Sequence, residues 1–166
     1  MSKDRMLQAI KGGLKGELDS INLYQQALVR SDKEDVKTFF AERLEEEKNH
    51  YNYLLHYYNE LSNDKQLSKA DTVIIKNEKK SPIITIDFLK RIASDQQLFS
   101  AISTAVLLEL NAIQFYKKCI DETDEPELQK FYTMMAAWEG DHYHDVLKIQ
   151  EEAEHYFWDQ NRFEPF

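Results

Sequence analysis

The sequence repeats itself at an offset of ninety-two residues, and that repeat narrows the folds open to it. Shifted by this amount (109 − 17), Glu17-Leu18 falls on Glu109-Leu110, Ile21 on Ile113, Tyr24 on Tyr116, and Asp32 on Asp124. Phe39 falls on Phe131, His50-Tyr51 on His142-Tyr143, and Leu55 on Leu147, with no gap. A unit used twice implies two similar substructures related by a pseudo-twofold axis.

Each copy ends in a Glu-x-x-His step, Glu47-Lys48-Asn49-His50 and Glu139-Gly140-Asp141-His142. A helix turns about 100° per residue, so positions i and i+3 lie about 60° apart and present a carboxylate and an imidazole on one face. A lone glutamate precedes each step by thirty residues: Glu17 (47 − 17) and Glu109 (139 − 109). One Glu-x-x-His is common, but two with the same antecedent are not. Four helices bearing Glu, Glu-x-x-His, Glu and Glu-x-x-His form the donor set of a di-iron or di-manganese carboxylate bundle. Two divalent ions bring four positive charges, which four glutamates neutralise, and each histidine adds a neutral nitrogen suited to iron and acceptable to manganese or zinc. Without metal, the same glutamates would repel one another and hold protons at raised pKa values.

The apolar spacing supports four long helices. Leu7, Ile10, Leu14, Leu18, Ile21 and Leu28 mark a first helix from near Lys3 to about Arg30, with Glu17 inside the stripe. Ser31 with Glu34 forms a capping-box pattern for a second helix, which carries Val36, Phe39, Phe40, Leu44, Leu54 and Leu55 to about Leu61. A short helical segment from Thr85 or Asp87 comes next. Ser94 with Gln97 resembles a second capping box, opening a third helix to about Glu122, and Asp124 with Glu127 caps the fourth. Between the second and third helices, residues 62–85 are polar and lysine-rich, with Val73-Ile74-Ile75 and Ile83-Ile84 as β-like patches and Pro82 as a breaker. A connection of this length lets the third helix return parallel to the second. The expected fold is all-α: a ferritin-like four-helix bundle over residues 1–155, with a long crossover between the second and third helices. An aromatic tail over 156–166 (Tyr156, Phe157, Trp158, Phe163, Phe166) is expected to cover a bundle end or a dimer interface.

Other residues are placed by position. Tyr24 and Tyr116 lie seven residues after Glu17 and Glu109, two turns along the same face, so their hydroxyls come within reach of the glutamates; ordinary core packing is the competing reading. Glu45 and Glu46 are read as a solvated face. His56 has Lys148 at its repeat position, and His144 lies about 160° round the helix from His142, so neither is taken as a ligand. Gly12, Gly13, Gly16 and Gly140 all lie within a few residues of a candidate ligand, where close helix crossing is favoured over a bulge or an access route.

A net charge of −9 and a pI near 5.1 exclude the basic footprint of a nucleic-acid binder. The single cysteine, Cys119, forms no internal disulfide and suits a reducing compartment. Met1–Gly13 lacks the apolar run of a signal peptide, and no apolar stretch is read as approaching the roughly 20 residues that span a bilayer, so the chain is expected in the cytoplasm with no membrane partner.

From about Leu7 to Glu154 the pattern resembles the rubrerythrin-like branch of the ferritin-like superfamily. The resemblance implies that Glu17, Glu47, His50, Glu109, Glu139 and His142 are ligands of two iron ions (manganese being the alternative) and that Tyr24 and Tyr116 stand beside the metals. It further implies redox chemistry on peroxide or dioxygen, with ferritin-like iron oxidation, binding or storage, or a non-catalytic metal-binding module, as alternatives. A homodimer is the implied assembly. Two departures stand out. Full rubrerythrins carry a rubredoxin domain with paired Cys-x-x-Cys motifs, whereas this sequence has only Cys119, so an external donor such as a rubredoxin-like protein is implied. They also carry a second carboxylate one turn after the third-helix glutamate, where Ala112 stands.

Overall fold

The computed structural model describes residues 1–74 and 82–161. In chain order it contains α1 (Lys3–Arg30), α2 (Glu34–Ser62), the short α3 (Ala70–Val73) and α4 (Ile86–Ser94), then α5 (Gln96–Glu122) and α6 (Pro126–Asn161). Among the described residues all regular structure is helical, as an all-α ferritin-like bundle requires. α1 packs along α2, α5 along α6, and α1 against α5, so the two hairpins of the repeat meet through their first helices. The crossover is partly helical, because α4 is amphipathic and lays Phe88 and Ile92 into the core beside α5 and α6.

Two apolar clusters fill the bundle. Tyr24, Phe39, Phe40, Phe88, Ile102 and Val146 belong to one, and Ile10, Leu54, Tyr57, Tyr116, Phe131 and Met135 to the other. Each long helix passes from one cluster to the other through its acidic position: Glu17 between Ile10 and Tyr24, Glu47 between Leu44 and Leu54, Glu109 between Val106 and Tyr116, and Glu139 between Met135 and Val146. The polar layer is therefore sealed above and below by hydrocarbon and aromatic rings.

The helix ends differ from the expected caps. Ser31 closes α1 rather than opening α2: its backbone N–H donates to Ala27 O and Leu28 O, and its hydroxyl to Ala27 O at 2.7 Å. The orphan carbonyls of α1 claim this buried serine, leaving Lys33 as the N-cap of α2 with no side-chain bond. The N-cap of α5 is Asp95, accepting from Gln97 N at 3.0 Å and Leu98 N at 3.1 Å, while Ser94 ends α4 and donates to Arg91 O. Asp124 pairs with the amino group of Met1 instead of capping α6, and Glu127 accepts from Ala70 N at 2.9 Å, tying the crossover to α6. Thr85 does cap α4, accepting from Phe88 N at 3.1 Å.

The β-like patches are also corrected. Val73 ends α3, and both it and Ile74 pack on the second cluster; Ile75 lies outside the described residues. Ile84 packs on the first cluster and Ile83 is exposed. Residues 156–161, expected to begin a tail, continue α6, with Tyr156 beneath the Lys90 ammonium at 5.6 Å; Phe163 and Phe166 lie outside the described residues. Contrary to the expectation of no such stretch, α5 is long and apolar enough by length and composition to cross a membrane. Here it packs against α1 and α6 and carries Glu109 on its buried side.

Candidate metal centre

The four helices deliver the six repeat residues to one buried layer. Glu17, Glu47, Glu109 and Glu139 are each at most 2 % exposed, His50 is fully buried and His142 nearly so. They form two overlapping groups, Glu17-Glu47-His50-Glu139 and Glu47-Glu109-Glu139-His142, and in each the donor atoms lie within 4.8 Å of one another. Glu47 and Glu139 belong to both groups, which places them between two candidate ion positions. Both rings turn Nδ1 inward. His50 Nδ1 lies 2.8 Å from Glu139 Oε1 and 3.5 Å from Glu17 Oε2. His142 Nδ1 lies 3.0 Å from Glu47 Oε1, 3.6 Å from Glu139 Oε2 and 3.9 Å from Glu109 Oε2.

Such crowding has electrostatic consequences. Burial, reinforced by Glu139 and Glu47, holds the Glu17 and Glu109 carboxyls well above the usual carboxylate range. Glu139 is held well below that range: burial would raise it, but His50 and His142 outweigh burial. Burial would lower His142, yet Glu139, Glu46 and Glu47 push it well above the usual imidazole value. Several buried oxygens (Glu17 Oε2, Glu47 Oε1, Glu109 Oε2 and both of Glu139) receive no hydrogen bond of good geometry. Hard oxygen donors left unsatisfied in a dry interior, interleaved with two imidazole nitrogens, are costly alone and complementary to a cation. The residue set therefore fits a metal.

The tyrosines connect the two halves crosswise. Tyr24 on α1 donates to Glu109 Oε1 on α5 at 2.6 Å, and Tyr116 on α5 donates to Glu17 Oε1 on α1. Burial and the adjoining carboxylates push both phenols well above their usual pKa, so each keeps its proton and acts as a donor.

One expected surface residue is in fact at the centre. Glu46, read from sequence as solvated, is buried and lies 3.0 Å from His142 Nε2, with Arg43 pairing to it. The sequence signal was Arg43 itself, which falls on the apolar stripe four residues after Phe39 and four before Glu47, where a cation needs a partner. Trp138 on α6 also belongs to the site, stacked on His50 with ring centroids 5.4 Å apart. His56 pairs with Glu60 at 3.1 Å and His144 lies 2.6 Å from Gly140 O, both at the surface.

The glycines divide. A Cβ on Gly12 would meet the Phe115 ring at 2.9 Å, and one on Gly13 would meet Leu54 at 3.1 Å and the Tyr116 hydroxyl at 3.3 Å, so close packing accounts for these two. Gly16 and Gly140 face open space. Between α1 and α5 lies a cavity of about 300 Å³ lined by Gly12, Gly13, Gly16, Ala112, Glu17 and Tyr116. Farther along α5, Cys119 is buried in the second cluster, and its thiol is pushed up to about 12 by burial and by Glu122.

A family model described as Rubrerythrin matches residues 8–150. No curated protein matches the chain.

Proposed function

The chain belongs to the rubrerythrin family, and from that membership we propose that it is a non-haem di-iron carboxylate oxidoreductase acting on peroxide or dioxygen. The observation that carries this reading is the pair of buried donor groups sharing Glu47 and Glu139. Glu17, Glu47, His50 and Glu139 would hold one ion, and Glu47, Glu109, Glu139 and His142 the other. When bound, a reduced iron pair would supply two electrons to an oxidant; peroxide, taking up two protons from solvent, would leave as two waters.

The protein's own residues supply the setting. Glu17 and Glu109 give up their protons as the cations bind, because ligand carboxylates must be ionised. Tyr24 and Tyr116 keep their protons and hold the carboxylates of Glu109 and Glu17 in fixed orientations, as residues bonded to metal ligands commonly do. The α1–α5 cavity leads a peroxide-sized molecule toward Glu17 and Tyr116, and the two apolar clusters keep bulk water away. A rubredoxin-like donor would restore the electrons, and a cytoplasmic homodimer is the proposed working form.

The test is the metal content of protein purified without added metal, paired with a peroxide titration of the reduced form followed by absorbance. About two irons per chain, oxidised rapidly by peroxide and slowly by air, is the expected result. Faster oxidation by dioxygen would shift the assignment to an oxidase or to ferritin-like iron handling. Two manganese ions with oxygen evolved from peroxide would make it a catalase. Absence of metal, with none taken up on reconstitution, would overturn the reading.

A further inference from the structure

One stretch of α5 carries almost no charge. Between Asp95 and Lys117 the only charged residue is Glu109, in a chain of which 31 % is charged, and Glu109 is buried in the acidic layer. The outward side of that stretch is therefore neutral. Ser100, Leu107 and Gln114 recur every seven residues, two turns apart, and with Thr104 and Asn111 they form one exposed stripe. Leu107 stands at its middle and is 62 % exposed. The apolar window of α5 is only 33 % buried within the fold, so much of its surface faces outward. A helix on a protein surface ordinarily turns charged residues to water, whereas depletion of charge marks the centre of a protein–protein interface. Exposed apolar residues standing singly, such as Val29 and Ile86, need no such account.

We propose that this face of α5 binds a second copy of the chain about a twofold axis passing near Leu107. The proposal rests on the homodimer proposed above, for which it names the interface, and does not depend on the metal. Two chains of net charge −9 repel each other, so self-contact is favoured where like charges are absent. In an isologous contact residue i of one copy meets residue j of the other, and j meets i. An axis at Leu107 sets Ser100 toward Gln114 of the second copy. It also sets Lys118 toward the second copy's Gln96 and the adjoining Asp95. The first charges met at either end of the neutral span are thus of opposite sign. The hydroxyl and amide groups of the stripe can exchange hydrogen bonds with their counterparts, which the hydrocarbon of a bilayer does not offer, so a second copy fits this face better than a membrane does. From Gln96 to Gln114 the face is about 27 Å long; with the outer flank of α1 beside it the patch is about 20 Å wide, and two such patches bury about 1,100 Å², enough for a specific interface. Leu108 and Asn111 also line the α1–α5 cavity, so the second copy borders its mouth.

The test is sedimentation equilibrium of the full chain over a concentration series, beside cross-linking under mild oxidation. Wild type should sediment as a dimer. Leu107→Lys sets two ammonium groups at the axis and should weaken the dimer by about 100-fold or more. Lysine suits an exposed helical position, so this variant should keep the helical circular dichroism of wild type. Ile86→Lys changes a residue on α4 that is 68 % exposed and should leave the dimer unaltered. Leu107→Cys should give a disulfide-linked dimer on oxidation and Ile86→Cys should not, Cys119 being buried in both. A dimer that survives Leu107→Lys, or a Leu107→Cys chain that does not cross-link, would overturn the α5 interface and leave the homodimer to another face. A monomeric wild type would overturn the homodimer together with it. Co-flotation of that monomer with phosphatidylcholine vesicles would give the face to a membrane instead.

Discussion

Tyr24 and Glu109 stand eighty-five residues apart on different hairpins, yet the Tyr24 hydroxyl donates to Glu109 Oε1 across 2.6 Å. Tyr116 returns the same bond to Glu17. Each half of the repeat thus orients a carboxylate of the other, and neither hairpin completes its own ligand set. Tyr24→Phe removes a buried donor and leaves a carboxyl oxygen unsatisfied, which should cost about 1–3 kcal/mol. Chemical denaturation of the metal-free protein measures it; an unchanged midpoint would show that the bond contributes nothing.

The acidity of the layer sets the pH dependence of the metal-free protein. Glu17 and Glu109 are raised above 4.5 by burial and neighbouring glutamates, so the folded chain holds protons that the unfolded chain releases. Stability therefore falls as pH rises from 4.5 through their folded values. His142, raised above 6.5, acts in the same direction: its contribution is full below 6.5 and is lost as pH rises through its folded value. Glu139, held low, has the opposite sign, but its contribution is lost only as pH drops below 4.5. The stripped protein should therefore melt at a lower temperature at about pH 8 than at about pH 5.5. The loaded protein should show the reverse, since protons compete with cations for the ligands. Parallel melting curves for the two forms would contradict both signs.

Sharing of ligands predicts a graded response to their removal. Glu47 and Glu139 serve both donor groups, whereas Glu17 and Glu109 serve one each. Glu139→Gln should abolish tight binding of both ions, and Glu17→Gln should spare the group containing Glu109 and His142. Equilibrium dialysis with metal analysis distinguishes these outcomes, and equal losses from the two variants would rule out sharing. Stripping the wild type with a chelator should lower its melting temperature, because saturation at a hundredfold excess over Kd stabilises by about 2.7 kcal/mol per site.

The glycines separate by what surrounds them. Gly140→Ala adds a methyl in open space within a helix and should stabilise by about 0.5–1 kcal/mol. Gly13→Ala pushes against Leu54 and the Tyr116 hydroxyl and should destabilise instead. Urea titrations of the two variants should shift in opposite directions.

The long-range logic of the site was legible because it is written in spacing. The offset that pairs Glu17 with Glu109 and His50 with His142 brings six residues to one layer, and the structure brings those six together. What escaped was information about neighbours across the bundle. Glu46 adjoins Glu45 in sequence and looks solvated on an isolated helix, but α2 is enclosed on several sides at that level, so a residue off the main stripe is still buried. Ser31 and Ser94 were misassigned because a hydroxyl between two helices can satisfy the end of one or the start of the next, and the Ser-x-x-Glu/Gln pattern does not say which. Val73-Ile74 failed for a different reason: so short an apolar run carries no period by which to tell strand from helix. The crossed tyrosine bonds were half visible. Seven-residue spacing gives the face on which Tyr24 lies, but only the crossing of α1 and α5 decides which glutamate it meets.

The setting of Cys119 bears on how oxidative wear would register in this chain. With its thiol pushed up to about 12, almost none of it is thiolate near neutrality, and thiolate is the form that oxidants attack. The sulfur can therefore share a bundle with the oxidant chemistry proposed for the site and remain a bystander while the fold is closed. A thiol count would then serve as a clock of unfolding rather than of exposure to oxidant: one free thiol per chain should persist through repeated exposure, and its disappearance would date the moment at which the bundle opened.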